Sequence, residues 1–343
     1  MQKHTRSVSY QIVIGVDISK SWIDVCLLVA EQRIFSKRFP NDQQGFSELF
    51  DRLEEQLDSP KHHWLVCLED TGLYGRRLLR FLLEKGIDTW CESGLRIKRT
   101  RGIVRGKSDK IDAYRIARYA QEKQTDCQLV KPETLLLEKI KDLLSNRKRI
   151  LRAIKALEVP IKELQGIEAQ HAQPLQQANQ KAIEGLKQSL KEIEKLIDQA
   201  LEENSALNHT YQLITSVKSV GKILGLQLLI DTHGFTRMCN ARKLACHAGV
   251  APFSYQSGTS VKGKNKTSRY ANMKLKCLLH LAALNAIRTS PEIRRYYQRK
   301  VLQGKNKMSV INAVRNKIIQ RVVAVVKRDK PYIEFPENYL TLS

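Results

Sequence analysis

Residues Ile12–Lys20 read IVIGVDISK, and these positions decide the fold. From Ile12 to Val16 the run is apolar at odd and even positions alike, the mark of a strand buried on both faces. It closes on Asp17, ahead of a Ser19-Lys20 pair that suits a turn or a helix start. A carboxylate buried without a partner is costly. Asp17 therefore either has a cation beside it or caps a turn at an exposed strand end, and the rest of the chain must separate those readings.

Working outward, Trp22–Ala30 and Arg33–Phe39 read as two further strands. The short connections make the three an antiparallel meander. Gln43–Leu57 carries Phe46, Leu49, Phe50, Leu53 and Leu57 at helical spacing. His63–Glu69 is another apolar strand that ends in an acid. Tyr74–Lys85 is a helix stopped by Gly86, Ile87–Cys91 is a fifth strand, and a helix begins near Ser108. Strands and helices in this order predict an α/β layer with a mixed sheet.

The acids gain meaning together. Asp17 and Glu69 end strands, while Asp109 and Asp112 stand at i and i+3 at a helix start and so share a face. First-turn acids are also favoured by the helix dipole alone. Four carboxylates converging on one sheet edge can hold two Mg²⁺ ions, roughly 3.5–4 Å apart, that stabilise the attacking and leaving oxygens of phosphodiester cleavage. That is the pattern of RNase H-like nucleases. Between Arg96 and Arg118 lie nine basic residues, among them Arg99, Arg101, Arg105 and Lys107, against two acids. Beside a metal site such a run reads as a phosphate-backbone contact. Gly102–Ser108, GIVRGKS, is one residue short of a Walker A loop and is not read as one.

Composition narrows the partner. The 343 residues carry 59 Lys and Arg against 35 Asp and Glu, a net charge of +24, with 42% hydrophobic content. That excludes a disordered chain and calls for a polyanion, which nucleic acid satisfies better than a membrane. No apolar run reaches the roughly 18 residues of a membrane span, and MQKHTRSVSY has no signal core, so a cytoplasmic protein is expected. Seven cysteines (26, 67, 91, 127, 239, 246, 277) without a CxxC pair argue for reduced thiols and against zinc, Cys246-His247 included.

Pro132 opens a long helical region. Ile140, Leu143, Arg147, Ile150, Ile154, Leu157, Ile161 and Leu164 step by three and four, and Ala182, Leu186, Leu190, Ile193, Ile197 and Leu201 form a second run. Pro160 is expected to kink the first and Gly166–Pro174 to break the chain, leaving an antiparallel hairpin or a kinked coiled coil. A narrow apolar seam on a polar helix wants a partner, which favours a dimerisation arm over a spacer. In Leu213–Leu229, LITSVKSVGKILGLQLL, a Gly-containing turn between helices suggests a helix-hairpin-helix. Val250–Ser260, VAPFSYQSGTS, reads as a loop holding Ser257-Gly258. Val261–Lys276 follows with six basic residues, including Lys262, Lys264, Lys266 and Arg269, and no acid. A loop serine is ordinarily a turn residue; beside cations that stabilise a pentacovalent phosphate it can also be a nucleophile. Leu275–Ile287 and Met308–Val326 are apolar helices closing the last domain. The expected domains are a catalytic one at 8–127, a helical dimerisation region at 132–205 and a mainly helical C-terminal domain at 208–330.

GVDISK, LEDTG-x-Y, KSDKIDA and GVAPFSYQSG, in this order, resemble the IS110 group of insertion-sequence transposases, relatives of Piv-type DNA invertases. The resemblance covers Ile12 to Val326. It implies a RuvC-like domain of RNase H fold, a coiled coil and a C-terminal transposase domain. It implies that Asp17, Glu69, Asp109 and Asp112 bind Mg²⁺, with Mn²⁺ as a possible substitute. It points to Ser257 as a nucleophile that forms a 5′-phosphoserine link to DNA. Implied partners are donor and target DNA, a non-coding bridge RNA as guide, and further copies of the chain in a dimer or tetramer whose active-site halves come from different protomers. The implied setting is the bacterial or archaeal cytoplasm, at the nucleoid, without membrane contact. Lys218-Ser219 replaces the family's Pro-Gly turn, and Ser108 stands for its usual Thr. Two other readings remain: a metal-only nuclease that uses water, and a basic nucleic-acid-binding protein with a degenerate nuclease fold.

Overall fold

A computed structural model describes residues 10–100, 109–257, 261–267 and 270–334. The chain divides into two compact units between Leu135 and Leu136.

The first unit is built on a five-stranded sheet. Its strands are β1 (Ile12–Ile18), β2 (Trp22–Val29), β3 (Gln32–Pro40), β4 (Trp64–Glu69) and β5 (Asp88–Glu92), in the order β3-β2-β1-β4-β5. β1 pairs antiparallel with β2 and parallel with β4, and β5 continues parallel to β4. Because side chains alternate across a strand, Ile12, Ile14, Val16 and Ile18 face one way and Val13, Gly15 and Asp17 the other. The first set packs on α1 (Gln43–Gln56) and α2 (Arg76–Glu84). The second faces α3 (Gly94–Arg99) and α4 (Asp109–Glu122), through Ile97, Ala113, Ile116, Ala117 and Ala120. Helices on both faces explain why β1 is apolar throughout. The edge strand β3 exposes Arg33, Lys37 and Arg38, charges that discourage pairing with another sheet. The helix expected from Tyr74 begins at Arg76, after a turn, and the fifth strand runs one residue past Cys91, to Glu92.

In the second unit α5 (Glu133–Ile167), which begins just before the division, and α6 (Ala169–Glu202) form an antiparallel hairpin. Its register shows in cross-helix ion pairs: Lys139 with Glu203, Arg147 with Glu194 at 2.8 Å, and Glu158 with Lys187 at 2.7 Å. The arginine that interrupts the seam is thus answered by an acid. The break expected within 166–174 falls at Glu168 and is a single residue long, and helix runs on through Pro160 and Pro174. A mid-helix proline costs roughly 3 kcal/mol. Here buried Ile154 and Ile161 flank Pro160, and the Glu158–Lys187 pair clamps the same stretch.

The core of this unit joins the hairpin's open end (Leu137, Ile140, Leu144, Ile193, Ile197, Leu201) to the helices that follow. These are α7 (Ser205–Ser216), α8 (Lys222–Asp231), α9 (Ala241–His247), α10 (Met273–Thr289), α11 (Pro291–Leu302) and α12 (Lys307–Arg328). α12 buries nine residues, Val310 to Val325, as its all-round apolar pattern requires. α7 and α8 are joined by a turn in which Ser219 takes φ +73°, a left-handed conformation that non-glycine residues rarely adopt. Lys218 in that turn is held by Glu334 at 2.8 Å.

Between α9 and α10 a two-stranded antiparallel hairpin, β6 (Phe253–Ser257) and β7 (Val261–Lys266), replaces the expected loop. Phe253 and Tyr255 favour a strand.

Candidate active site

Four acids occupy one row of the first sheet. Asp17 on β1 stands opposite Asp24 on β2, and Glu69 on β4 is in register with Glu92 on β5. Val16 pairs with Leu68, so Asp17 and Glu69 come next on neighbouring parallel strands. All four lie on the face covered by α3 and α4. The outer two are neutralised by protein. Asp24 is buried and accepts from Arg38 through Nε and Nη2, at 3.2 and 2.9 Å. Glu92, also buried, accepts from Arg96 at 3.3 Å, from the Tyr119 hydroxyl at 3.1 Å and from the Ser93 amide at 2.7 Å. Burial and the neighbouring Glu92 charge raise the Tyr119 pKa, so its hydroxyl stays a donor. Of the central pair, Glu69 has no cationic or hydrogen-bonding partner among the described residues.

Two glycines make room for this row. A Cβ on Gly15 would lie 2.3 Å from both the Ala113 carbonyl oxygen and the Ala117 nitrogen of α4. α4 therefore crosses β1 in backbone contact, two residues before Asp17, and it starts with the i, i+3 pair Asp109 and Asp112. A Cβ on Gly94 would fall on the Glu69 carboxylate, 2.0 Å from Oε1. Gly15→Ala is expected to force α4 off the sheet by about 1 Å and to cost about 1–3 kcal/mol. Its unfolding, followed by circular dichroism, should begin at a lower temperature; an unchanged melt would contradict the close approach.

Asp112 lies on the sheet-facing side of α4 and binds Arg115 at 2.9 Å. The backbone of Asp109 opens α4, but its side chain lies outside the described residues. Arg99 ends α3 and is exposed; Arg101, Arg105, Lys107 and Arg269 lie outside the described residues. Among the described residues no group of three or more His, Cys, Asp or Glu has metal-holding geometry. The donors assembled along the row are all carboxylate oxygens, the chemistry that suits a hard divalent ion such as Mg²⁺ rather than zinc. Asp24 and Glu92 escaped the sequence reading. Glu92 carried the available signal, an apolar strand running into an acid as in β1 and β4.

Ser257 is on the second unit, at the last position of β6 and paired with Val261. Lys262, Lys264 and Lys266 fall at alternate positions of β7. The side chains of these four lie outside the described residues. The neck of the hairpin is well fixed. The Asn272 amide donates to the His247 carbonyl at 2.8 Å, and Asn312 Nδ2 to the Val250 carbonyl at 2.7 Å. Asn272 also caps α10 through the Leu275 amide and donates to Asp231 at 2.9 Å. Asp231 accepts from Gln227 as well, at 2.8 Å, and burial raises its carboxyl pKa.

Two family models cover most of this architecture: a transposase model of the IS110 DEDD type over residues 14–164, and the IS116/IS110/IS902 transposase model over residues 211–298. The chain belongs to the IS110 family of transposases. Among curated proteins, this transposase is 26% identical over 335 residues to the pilin gene-inverting protein of Moraxella bovis, covering 93% of the chain and 97% of that protein. It is 31% identical over 136 residues, 39% of the chain, to an insertion element IS900 42 kDa protein of Mycobacterium paratuberculosis, of which the match covers 34%. A solved structure of T. thermophilus RuvC with a Holliday junction substrate is 12% identical and covers 35% of the chain and 99% of that chain, with a TM-score of 0.27. The transposase joins an α/β domain with a mixed sheet to a mainly helical region, as its sequence pattern predicts. None of its described helices is long and apolar enough to cross a membrane.

Proposed function

We propose that this IS110-family transposase cleaves and rejoins DNA strands through Ser257, with Asp17, Glu69, Asp109 and Asp112 holding Mg²⁺. The observation that carries the reading is the acid row. Its outer members are neutralised by arginines, and its centre, Asp17 beside Glu69, lies against the helix that brings Asp109 and Asp112. Bound there, Mg²⁺ (or Mn²⁺) would supply Lewis-acid stabilisation of phosphoryl oxygens. The chain's own residues do the rest. Ser257 Oγ loses its proton and forms a bond to phosphorus; the P–O3′ bond breaks and the O3′ leaves as a hydroxyl, giving a 5′-phosphoserine. Attack by another strand's 3′-hydroxyl then reverses the step and frees the serine. Arg99, Arg101, Arg105, Lys107, Lys262, Lys264, Lys266 and Arg269 would neutralise the phosphates of donor and target DNA.

The same reading gives the transposase a non-coding guide RNA, a homo-oligomer with Ser257 and the carboxylates drawn from different copies, and a cytoplasmic site of action at the nucleoid. Support for the oligomer comes from the α5–α6 arm, which exposes Val159, Ile167 and Leu175.

The test incubates the protein with Mg²⁺, an end-labelled DNA spanning an element junction and the transcript flanking its gene, then resolves products on a denaturing gel. A protease-sensitive DNA–protein adduct mapping to the Ser257 peptide is expected. Free 5′-phosphate ends without an adduct would establish the water-using nuclease instead. Binding without cleavage would leave only a nucleic-acid-binding role.

A further inference from the structure

The hairpin arm carries a set of cations that its ion-pair pattern does not account for. Along α5 and α6, Lys139, Lys141, Arg147, Lys162 and Lys187 are each matched by a glutamate. Lys148, Arg149, Arg152 and Lys155, in the stretch NRKRILRAIK, are all exposed and have no carboxylate partner among the described residues. Lys148, Arg152 and Lys155 follow one another by four and three residues. They therefore share one face of the helix and span about 10 Å of its axis. This face is opposite Ile150 and Ile154, which pack inward. Like charges so spaced destabilise a helix slightly, so the row works against folding unless something answers it.

We infer that Lys148, Arg152 and Lys155, flanked by Arg149, form a track for the phosphodiester backbone of duplex DNA along the exposed face of α5. Charge complementarity selects a polyanion, with one phosphate charge per about 1.7 Å of duplex axis. Membership of a transposase family selects DNA as the occupant. The track rests on that family but not on the serine chemistry, because it would hold DNA whichever group cleaves it.

The test uses the full chain with a fluorescent 30-base-pair DNA duplex and, separately, an RNA duplex of equal length, with anisotropy read from about 0.05 to 0.3 M salt. The triple variant K148Q/R152Q/K155Q should weaken DNA binding at least tenfold at about 0.15 M salt and reduce the log–log salt slope by about 2–3, near 0.9 for each phosphate no longer neutralised. The charge-preserving K148R/R152K/K155R should bind as wild type. Removing three ion-paired cations instead (K139Q/K162Q/K187Q) should have a clearly smaller effect. The inference fails if the first triple leaves affinity and slope unchanged, if the ion-paired triple loses as much, or if only RNA binding falls. Helical content by circular dichroism identifies a misfolded variant, for which single substitutions give the same readout. Running the assay on Ser257→Ala as well, which should still bind, separates a failed track from a failed nucleophile.

Discussion

Ser257→Ala is expected to abolish both the covalent adduct and strand exchange. The change removes a single oxygen at the last position of β6, and among the described residues the hairpin's neck is held through Asn272, Asn312 and the His247 and Val250 carbonyls. Folding and DNA binding should therefore stay within about twofold of wild type. Loss of a nucleophile that acts together with other catalytic groups typically costs on the order of 10⁴-fold or more, so residual exchange should be below detection. Rates measured over single turnovers, with adduct quantified in the same samples, decide the matter. Exchange persisting in Ser257→Ala would remove Ser257 from the chemistry and leave the carboxylates to act on water.

The second large effect is at the other half of the site. Asp17→Asn keeps the size of the side chain and its capacity to accept a hydrogen bond, but removes one negative charge from the centre of the acid row. The arginines that neutralise Asp24 and Glu92 are unaffected, so the substitution should be tolerated in folding. Losing a charged metal ligand forfeits several kcal/mol of transition-state stabilisation; about 4 kcal/mol corresponds to a rate loss on the order of 10³-fold. DNA affinity in the absence of Mg²⁺ should not fall, since one repulsive charge has gone. The measurement is cleavage rate against Mg²⁺ and Mn²⁺ concentration. A variant that cleaves at the wild-type rate at every metal concentration would take Asp17 out of the metal site and favour the degenerate-fold reading.

Much of this was readable from the chain. The apolar run of β1 announced a strand covered on both faces, and the acids at the ends of β1 and β4 announced the row that Asp24 and Glu92 complete. What the sequence concealed has identifiable causes. Asp24 was hidden because a strand residue's cross-strand partner depends on register, which only the paired structure fixes. Gly15 and Gly94 looked like ordinary glycines, since the atoms they make room for are distant in sequence. Pro160 and Pro174 sit inside helix because packing along the hairpin arm outweighs their local breaking propensity. The Ser257 segment passed for a loop because its short strands are rich in Gly, Ser and Lys and have only each other to pair with. The basic row on α5 was overlooked because the apolar seam on the same helix dominated the periodicity.

The bonds that tie Asn272 to His247 and Asn312 to Val250 have a consequence for how this transposase can diversify. The first closes the segment between its two ends and the second ties the Val250 stem to α12, so the core of the helical unit holds the two stems in place. Lengthening a closed segment is thermodynamically mild, each doubling costing only about 0.6 kcal/mol. Changes of length between these stems are thus expected to cost the helical core that anchors them little.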